Sequence, residues 1–136
     1  MFFQAVVFDL FGTLVSAFPS LLFEQSLEQM ADAVGVSHTD FKRMWIEETW
    51  EARAMGRFAS IEDTVRYICG AVGLNPTDSQ LAKAALIRLD FTREVLQPRP
   101  DAIATLKQIK SAGLGLALVS DCTPEVPRLW PETPFV

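Results

Sequence analysis

At 136 residues and 49% hydrophobic composition, the chain suits one ordinary domain, or a small domain carrying an insertion, and is too apolar for disorder. Its net charge of −5, with acidic and basic residues interspersed, argues against nucleic acid as a partner. The two cysteines, Cys69 and Cys122, are too far apart for a CxxC motif and too few for a disulfide scaffold, so we expect a reducing, cytoplasmic location.

The first predicted element is a strand over residues 4–10, which Gly12 ends. The segment is a continuous apolar run with β-branched residues and no alternation, which is typical of a strand covered on both faces. It contains Asp9, and no lysine or arginine precedes Lys42. The segment is therefore neither a signal peptide nor a membrane span, and we expect no membrane partner.

A helical pattern occupies residues 19–96. Four helices are predicted in this segment. The first runs from about Pro19 to Gly35, and the second from Ser37 to Gly56. The third begins at Ser60 and the fourth at Thr77. Thr77 is followed three residues later by Gln80, which is the spacing of a capping box. Four amphipathic helices without an intervening strand indicate a small helical bundle.

Pro98 and Pro100 end the helical segment. A short helix over residues 101–111 and a second apolar strand over residues 114–119 follow. A helix between two such strands is typical of a parallel α/β layer. The proline-rich tail, residues 123–136, is predicted to have little regular structure.

Asp9 is the sharpest feature of the sequence, because it is the first carboxylate of the chain and ends an apolar strand. Burying an unpaired carboxylate costs free energy, so the position of Asp9 needs an explanation. One reason is local, since an aspartate can cap the turn that follows it. Gly12 permits a tight turn, however, and the second strand ends at Ser120 and Asp121. Ligands bind beyond the carboxyl ends of parallel strands, so we predict that Asp9 and Ser120 face one crevice.

Residues 8–14, Phe-Asp-Leu-Phe-Gly-Thr-Leu, resemble the first motif of the haloacid dehalogenase superfamily. Residues 118–121, Leu-Val-Ser-Asp, resemble its second motif, and the helical segment matches the position and length of its helical cap domain. The resemblance covers the whole chain and implies an α/β fold, a Rossmann-like parallel sheet with an inserted helical-bundle cap. Residues 1–15 and 97–136 would form a truncated core, and residues 16–96 the cap.

The resemblance implies a hydrolase that uses Asp9 as a covalent nucleophile on a small anionic substrate. Ser120, with Asp121 beside it, would bind the transferred group or a substrate carboxylate. The backbone amides of Leu10 and Phe11 would help to cradle the anion. In magnesium-dependent members the metal binds the nucleophile and the carbonyl two residues on, here Asp9 and Phe11, whereas a dehalogenase-like member would use no metal.

Phe11 departs from the phosphatases of the superfamily, which usually carry a second aspartate there as general acid and base. Phenylalanine cannot transfer a proton, whereas the dehalogenase branch has an aromatic residue in this place and expels a halide that needs none. We therefore favour dehalogenase-like chemistry, with phosphatase or phosphonatase chemistry as the alternative. Asp121 weighs against this preference, because dehalogenases usually have asparagine there.

The family's third motif, a lysine or arginine, and its fourth, an acidic cluster, lie beyond the second strand, whereas this sequence ends at Val136. Lys107, Lys110 and Arg128 are not expected to replace the missing cation. We therefore expect the 136 residues to be a truncated, frameshifted or proteolysed product with inefficient turnover. Association into a homo-oligomer that covers the sheet, or a non-catalytic interaction module, are the alternatives.

Several weaker signals lie near the proposed crevice. Arg53 and Arg57 end the second predicted helix, where either could contact a substrate carboxylate, although a solvated helix end is the favoured interpretation. Trp45 and Trp50 are expected to pack within the helical segment. Cys122 is expected to serve packing rather than thiolate chemistry.

Overall fold

The computed structural model describes residues 2–136, and the description that follows is limited to them. Strands and helices follow in the order β1 (Ala5–Phe8), α1 (Ser20–Val34), α2 (His38–Arg43), α3 (Trp50–Ala54), α4 (Ile61–Ala71), α5 (Asp78–Val95), α6 (Ala102–Ser111), β2 (Gly115–Leu118) and α7 (Glu125–Leu129). A π-helical segment, Met44–Glu48, joins α2 to α3, and a 3₁₀ turn, Trp130–Glu132, follows α7. The chain is thus mixed α/β, as predicted.

The two strands form a parallel sheet, with α6 as the helix that precedes the second strand. Ala5 pairs with Gly115 at one end and Phe8 with Leu118 at the other. The Val119 amide donates to the Phe8 carbonyl at 2.9 Å, so the pairing continues to the end of β1. The predicted parallel neighbours are therefore confirmed.

Burial of the strands differs from the prediction. Val7 is 61% exposed and Val119 is 69% exposed, whereas Phe8 and Leu118 pack partly against the core. A strand buries both faces only when helices or further strands cover both, and one face of this pair remains open. The prediction of strands covered on both faces is therefore wrong for residues 2–136.

Helix boundaries follow the capping residues. The Ser37 and Ser60 hydroxyls each accept the backbone amide three residues on, at 3.1 Å in both cases. Thr77 and Gln80 form the reciprocal capping box at the start of α5. Gly35 ends α1 with a φ of 75°, a left-handed conformation that glycine adopts without strain. The predicted boundaries are therefore confirmed. They could be predicted because each cap depends only on neighbouring residues.

The second predicted helix is not continuous. It breaks into α2, the π-helical segment and α3, and within the π turn the Thr49 amide donates to the Met44 carbonyl at 2.9 Å. The extra residue shifts the following turn and leaves the Trp45 carbonyl to side-chain donors, which are Thr49 Oγ1 at 3.2 Å and Arg53 Nη2 at 2.7 Å. Single π turns inside helices are frequent at functional sites.

The tail is also more ordered than predicted. Pro124 stands at the N-cap of α7 and Pro127 lies in its first turns, where a missing amide or a fixed φ interrupts little. Val126 and Leu129 are buried in the main core, and the Trp130 and Phe135 rings stack at 5.5 Å. The prolines therefore begin a helix rather than prevent one, and the prediction of an irregular tail is wrong.

The core lies mainly among the helices between β1 and α6. Its fully buried large side chains include Leu27, Met30, Phe41, Trp45 and Ile68. Among residues 2–136, no helix combines the length and apolarity that crossing a bilayer would take. The boundaries at residues 15–16 and 96–97 between core and cap remain a prediction.

Candidate functional site

The ends of the two strands bring Asp9 and Ser120 to the same edge of the sheet. Asp9 follows Phe8, Ser120 follows Val119, and the Phe8 carbonyl accepts the Val119 amide. The Asp9 side chain is exposed, so the interpretation of it as a buried carboxylate is wrong in this structure. The Ser120 hydroxyl oxygen is covered by protein and has no hydrogen-bond partner. An unpaired covered hydroxyl at a strand end can donate to an anion.

The turn after Asp9 is built on the Leu10 carbonyl. This oxygen accepts the amides of Thr13, Leu14 and Val15 at 3.1, 2.9 and 3.2 Å. Gly12, with a φ of 76°, allows so tight a turn. The amides of Leu10 and Phe11 donate to no other residue within 2–136, so the predicted anion cradle has two amides without protein acceptors.

A cavity of about 470 Å³ adjoins this turn. Phe11 lines it from the turn after β1, and Asp121 and Cys122 line it from the segment after β2. Its other walls come from the helical segment, and the most informative of these residues are aromatic or charged: Phe18, Phe23, Trp45, Trp50, Arg53 and Arg88. The cavity therefore lies between the strand ends and the predicted cap.

Arg53 faces this cavity and is only 4% exposed, so the solvated helix end favoured from the sequence is wrong for this residue. Its guanidinium lies 4.2 Å from the centre of the Trp45 ring and donates through Nη2 to the Trp45 carbonyl. Its Nη1 has no partner. Arg57 is exposed, as expected of a helix end. The π turn explains the difference, because it frees the carbonyl that holds Arg53 inward.

Arg88 is a charged residue of this cavity that was not predicted from the sequence. It is 5% exposed, and its Nε donates to Glu125 Oε1 at 2.7 Å, which joins α5 to α7. Its Nη1 has no partner. The spacing of the sequence could have indicated this burial, because Arg88 lies on the same helical face as the apolar residues Leu81, Ala84 and Val95, which are buried. A charge inside an apolar stripe predicts a buried partner or ligand.

Electrostatics within the cavity follow from this burial. Burial and the nearby charge of Arg88 lower the pKa of the Arg53 guanidinium to about 10, although Glu125 acts in the opposite direction. Burial acts to raise the pKa of the Glu125 carboxyl, but the charge and hydrogen bonds of Arg88 lower it below its usual range. Arg53 and Glu125 are therefore charged at neutral pH. Arg88 and Asp121 also line the cavity, so two basic and two acidic side chains face it.

The cysteine beside the site is not activated. Burial raises the pKa of the Cys122 thiol, which keeps it protonated, and the nearby Ser120 hydroxyl only partly offsets this. The two side chains do not meet the geometry of a hydrogen bond, so Ser120 Oγ remains without a partner. Packing, as expected from the sequence, is consistent with this pKa.

The structure brings some predicted site residues together and separates others. Phe11 and Asp121 line the large cavity, and Ser120 lines a neighbouring one of about 410 Å³ with Cys122 between them. Leu10 is fully buried and contributes through its backbone. Asp9 is not among the residues that line the large cavity. The roles of these five residues remain predictions.

The predicted magnesium site is incomplete in residues 2–136. Over this range, no three histidine, cysteine, aspartate or glutamate side chains converge as metal ligands would. Asp9 with the Phe11 carbonyl supplies two oxygen ligands, whereas Mg²⁺ takes six, several of them water or substrate oxygens. Magnesium binding by Asp9 and the Phe11 carbonyl therefore stays a prediction, and no step of the chemistry below depends on it.

Comparison with known proteins extends these observations. The haloacid dehalogenase-like hydrolase family matches residues 3–130. The (S)-2-haloacid dehalogenase H-109 of Pseudomonas putida is 31% identical over 126 residues, or 87% of this chain and 51% of that protein. The (S)-2-haloacid dehalogenase of Pseudomonas fluorescens is 30% identical over 127 residues, with the same coverage.

A solved hydrolase from Pseudomonas syringae aligns with 93% of this chain and 53% of its own, at a TM-score of 0.43 and 14% identity. The chain spans about half the length of the curated relatives it matches. The family match covers both strand ends, the helical segment between them and most of the tail. The chain therefore belongs to the haloacid dehalogenase-like hydrolases.

Proposed function

We propose that the protein containing this chain hydrolyses the carbon–halogen bond of a small 2-haloacid, with Asp9 as nucleophile. The observation that carries the proposal is the parallel pairing of Phe8 with Leu118, because it brings Asp9 and the unpartnered Ser120 hydroxyl to one sheet edge. The curated relatives at 30–31% identity are (S)-2-haloacid dehalogenases, which supports the same chemistry.

The reaction has two steps. An Asp9 oxygen attacks C2 of the substrate, a carbon–oxygen bond forms, and the carbon–halogen bond breaks with its electron pair leaving as halide. Water then attacks the carboxyl carbon of the ester, which releases the 2-hydroxyacid and a proton and restores the Asp9 carboxylate. Exposure of Asp9 suits the second step, because water reaches its carboxyl carbon.

Phe11 distinguishes this chemistry from ester hydrolysis of a phosphate. A phosphomonoester releases an alkoxide, which needs a proton from a general acid, and phenylalanine has none to give. A halide is a stable anion and leaves unprotonated. The Phe11 ring also lines the large cavity and meets the Phe18 ring edge-on at 5.7 Å, which gives the site an apolar wall suited to carbon and halogen.

Ser120 and the turn amides supply the polar part of the site. The Ser120 hydroxyl and the amides of Leu10 and Phe11 are donors without protein acceptors, and all three lie beside the strand ends. A substrate that carries one carboxylate presents two oxygens to such donors. In this proposal they orient the substrate so that C2 faces Asp9.

The test is chloride release from (S)-2-chloropropanoate by the protein, with Asp9→Asn as the decisive variant. We expect Asp9→Asn to reduce the rate by about 10⁶-fold, the scale seen when a covalent nucleophile is removed. Asp32→Asn is the matched control, because Asp32 is an exposed carboxylate paired with His38 outside the site. That control should leave the rate unchanged.

A second readout does not depend on turnover. Intact-mass analysis after brief exposure to (S)-2-chloropropanoate should detect one ester-linked carboxyalkyl group, located at Asp9 by peptide mapping and absent from Asp9→Asn. Unchanged chloride release by Asp9→Asn would remove the nucleophile from the proposal. Magnesium-dependent phosphate release from phosphoesters, without chloride release, would replace it with the phosphatase alternative.

A further inference from the structure

Thr49 connects the π turn to a buried arginine of the large cavity. Its side chain is 1% exposed. Thr49 Oγ1 donates to the Trp45 carbonyl at 3.2 Å and accepts from Arg53 Nε, also at 3.2 Å. A hydroxyl can donate one hydrogen bond while it accepts another, so one side chain serves both partners. Thr49 therefore links the backbone of the turn to the side chain of Arg53.

The Arg53 guanidinium is held by three contacts, all within the same segment. Its Nε donates to Thr49, and its Nη2 donates to the Trp45 carbonyl at 2.7 Å. The Trp45 ring packs on it, with the ring centre 4.2 Å from the guanidinium carbon. A free arginine side chain samples many rotamers, so two hydrogen bonds and one ring contact select a single orientation of its planar head.

We infer that Thr49 is a positioning residue, whose hydroxyl fixes the orientation of Arg53 in the large cavity and so sets the affinity for the substrate. The inference rests on the proposed function, since it takes this cavity as the place of the part of the substrate that does not react. Arg53 lines the cavity from the helical segment, whereas Asp9 lies at the sheet edge. A contact with a part that does not react stabilises the bound substrate and the transition state alike, so its loss raises KM and leaves kcat unchanged.

Two substitutions separate the hydroxyl of Thr49 from its shape. Thr49→Val keeps the branched shape but removes both hydrogen bonds, which leaves Arg53 Nε buried without an acceptor. We expect it to raise the KM for (S)-2-chloropropanoate about 10-fold and to change kcat by less than about 2-fold. Thr49→Ser loses a methyl group but keeps the hydroxyl, so its KM should stay within about 2-fold of that of the unmodified protein.

Thr64→Val is the matched control. Thr64 is also 1% exposed, and its hydroxyl likewise donates to the carbonyl four residues earlier, here that of Ser60 at 3.4 Å. The substitution therefore removes a buried threonine hydroxyl from α4 and leaves the hydrogen bonds of Arg53 intact. Its KM and kcat should equal those of the unmodified protein. Circular dichroism confirms that each variant is folded.

The Nε–H group of Arg53 gives a second readout, which does not depend on turnover. Its ¹⁵N NMR signal is identified by its loss in Arg53→Lys. In the unmodified protein, in Thr49→Ser and in Thr64→Val, this proton should exchange slowly with water, because it is buried and hydrogen-bonded. In Thr49→Val the signal should shift and its exchange should become faster, because the acceptor is gone.

The outcomes are decisive in either direction. An unchanged KM in folded Thr49→Val would overturn the inference, and so would an equal rise of KM in Thr49→Ser or in Thr64→Val. An Arg53 Nε–H signal that Thr49→Val leaves unchanged would also overturn it, because the hydroxyl would then not hold the guanidinium.

The same measurements separate this inference from the proposed function. Chloride release that depends on Asp9, with a KM unaffected by Thr49→Val, would sustain the reaction and refute the positioning role. If the unmodified protein releases no chloride, the reaction is refuted, and the Arg53 Nε–H signal in Thr49→Val then decides whether Thr49 orients Arg53.

Discussion

The helical segment and the two-stranded sheet differ in how far they bury their apolar side chains. In the helical segment Leu27, Phe41 and Trp45 are fully buried, because successive helices pack against one another along the chain. In the sheet Val7 and Val119 remain largely exposed, because one strand partner satisfies hydrogen bonds along an edge but covers neither face. An apolar stretch of sequence therefore does not by itself show that its side chains are buried. Their burial depends on how many helices or strands pack against that stretch.

The same contrast holds for charge. The unusual carboxylate of the sequence, Asp9, is exposed at the sheet edge, whereas Arg53 and Arg88 are buried in the helical segment and Glu125 is buried beside them in α7. Catalysis by an aspartate requires access, and recognition of an anion requires a dry environment in which each contact is strong.

The largest expected effect on stability comes from removing one member of the buried ion pair. Arg88→Met leaves Glu125, which is 2% exposed, as an unpaired buried carboxylate. We expect a loss of about 3–5 kcal/mol in the free energy of unfolding. Urea denaturation followed by circular dichroism measures it.

Two variants sharpen this prediction. Arg88→Met combined with Glu125→Leu removes both charges and should recover most of the loss, because an apolar pair of similar size needs no desolvation of ions. Arg93→Met alters the same helix but breaks ion pairs of a half-exposed arginine with Asp90 and Glu132, so its cost should stay below about 1 kcal/mol. Equal losses in the free energy of unfolding for Arg88→Met and Arg93→Met would show that burial of the Arg88–Glu125 pair does not increase the cost of breaking it.

The comparison of the two regions can be tested with one kind of substitution. Leu27→Ala, on the buried face of α1, should cost about 2–5 kcal/mol, through lost transfer free energy and the cavity left behind. Val7→Ala, in the middle of β1, should cost less than about 0.5 kcal/mol, because most of that side chain already contacts water. Similar losses for both variants in urea denaturation would mean that the sheet is covered in solution.

Prediction from the sequence succeeded where the determining residues are close together. Ser37, Ser60 and Thr77 cap the helices they were expected to cap, since each cap involves an amide three residues away. The parallel strands and their shared edge were also predicted, because apolar runs and the helix between them define that layer. The π turn near Trp45 was not, because no local residue type marks it.

The cavity was harder to predict because it depends on contacts between distant residues. Arg88 and Glu125 are 37 positions apart, and only folding of the tail onto α5 makes them partners. The sequence predicted an irregular tail, so Glu125 had no expected role. Arg53 was noticed, but its inward orientation depends on the carbonyl that the π turn releases.

The smallest expected effect is the pH dependence contributed by Glu125. Burial acts to raise the pKa of its carboxyl, whereas the charge and hydrogen bond of Arg88 act to lower it. The effect of Arg88 is larger, so the net shift of the pKa is downward. A carboxyl whose folded pKa lies below its unfolded value stabilises the fold at higher pH. That stability is present above the usual glutamate range and is lost as the pH falls through the folded pKa.

The measurement compares the unmodified chain with the Arg88→Met, Glu125→Leu double variant by urea denaturation at neutral pH and at several acidic values. Glu28 and Glu132, whose pKa values Lys42 and Arg93 lower, titrate in both proteins and cancel from the difference. The unmodified chain should lose more stability than the double variant as the pH falls below the glutamate range. Parallel curves would mean that the Glu125 carboxyl gains nothing from Arg88, and the buried pair would then owe its position to packing alone.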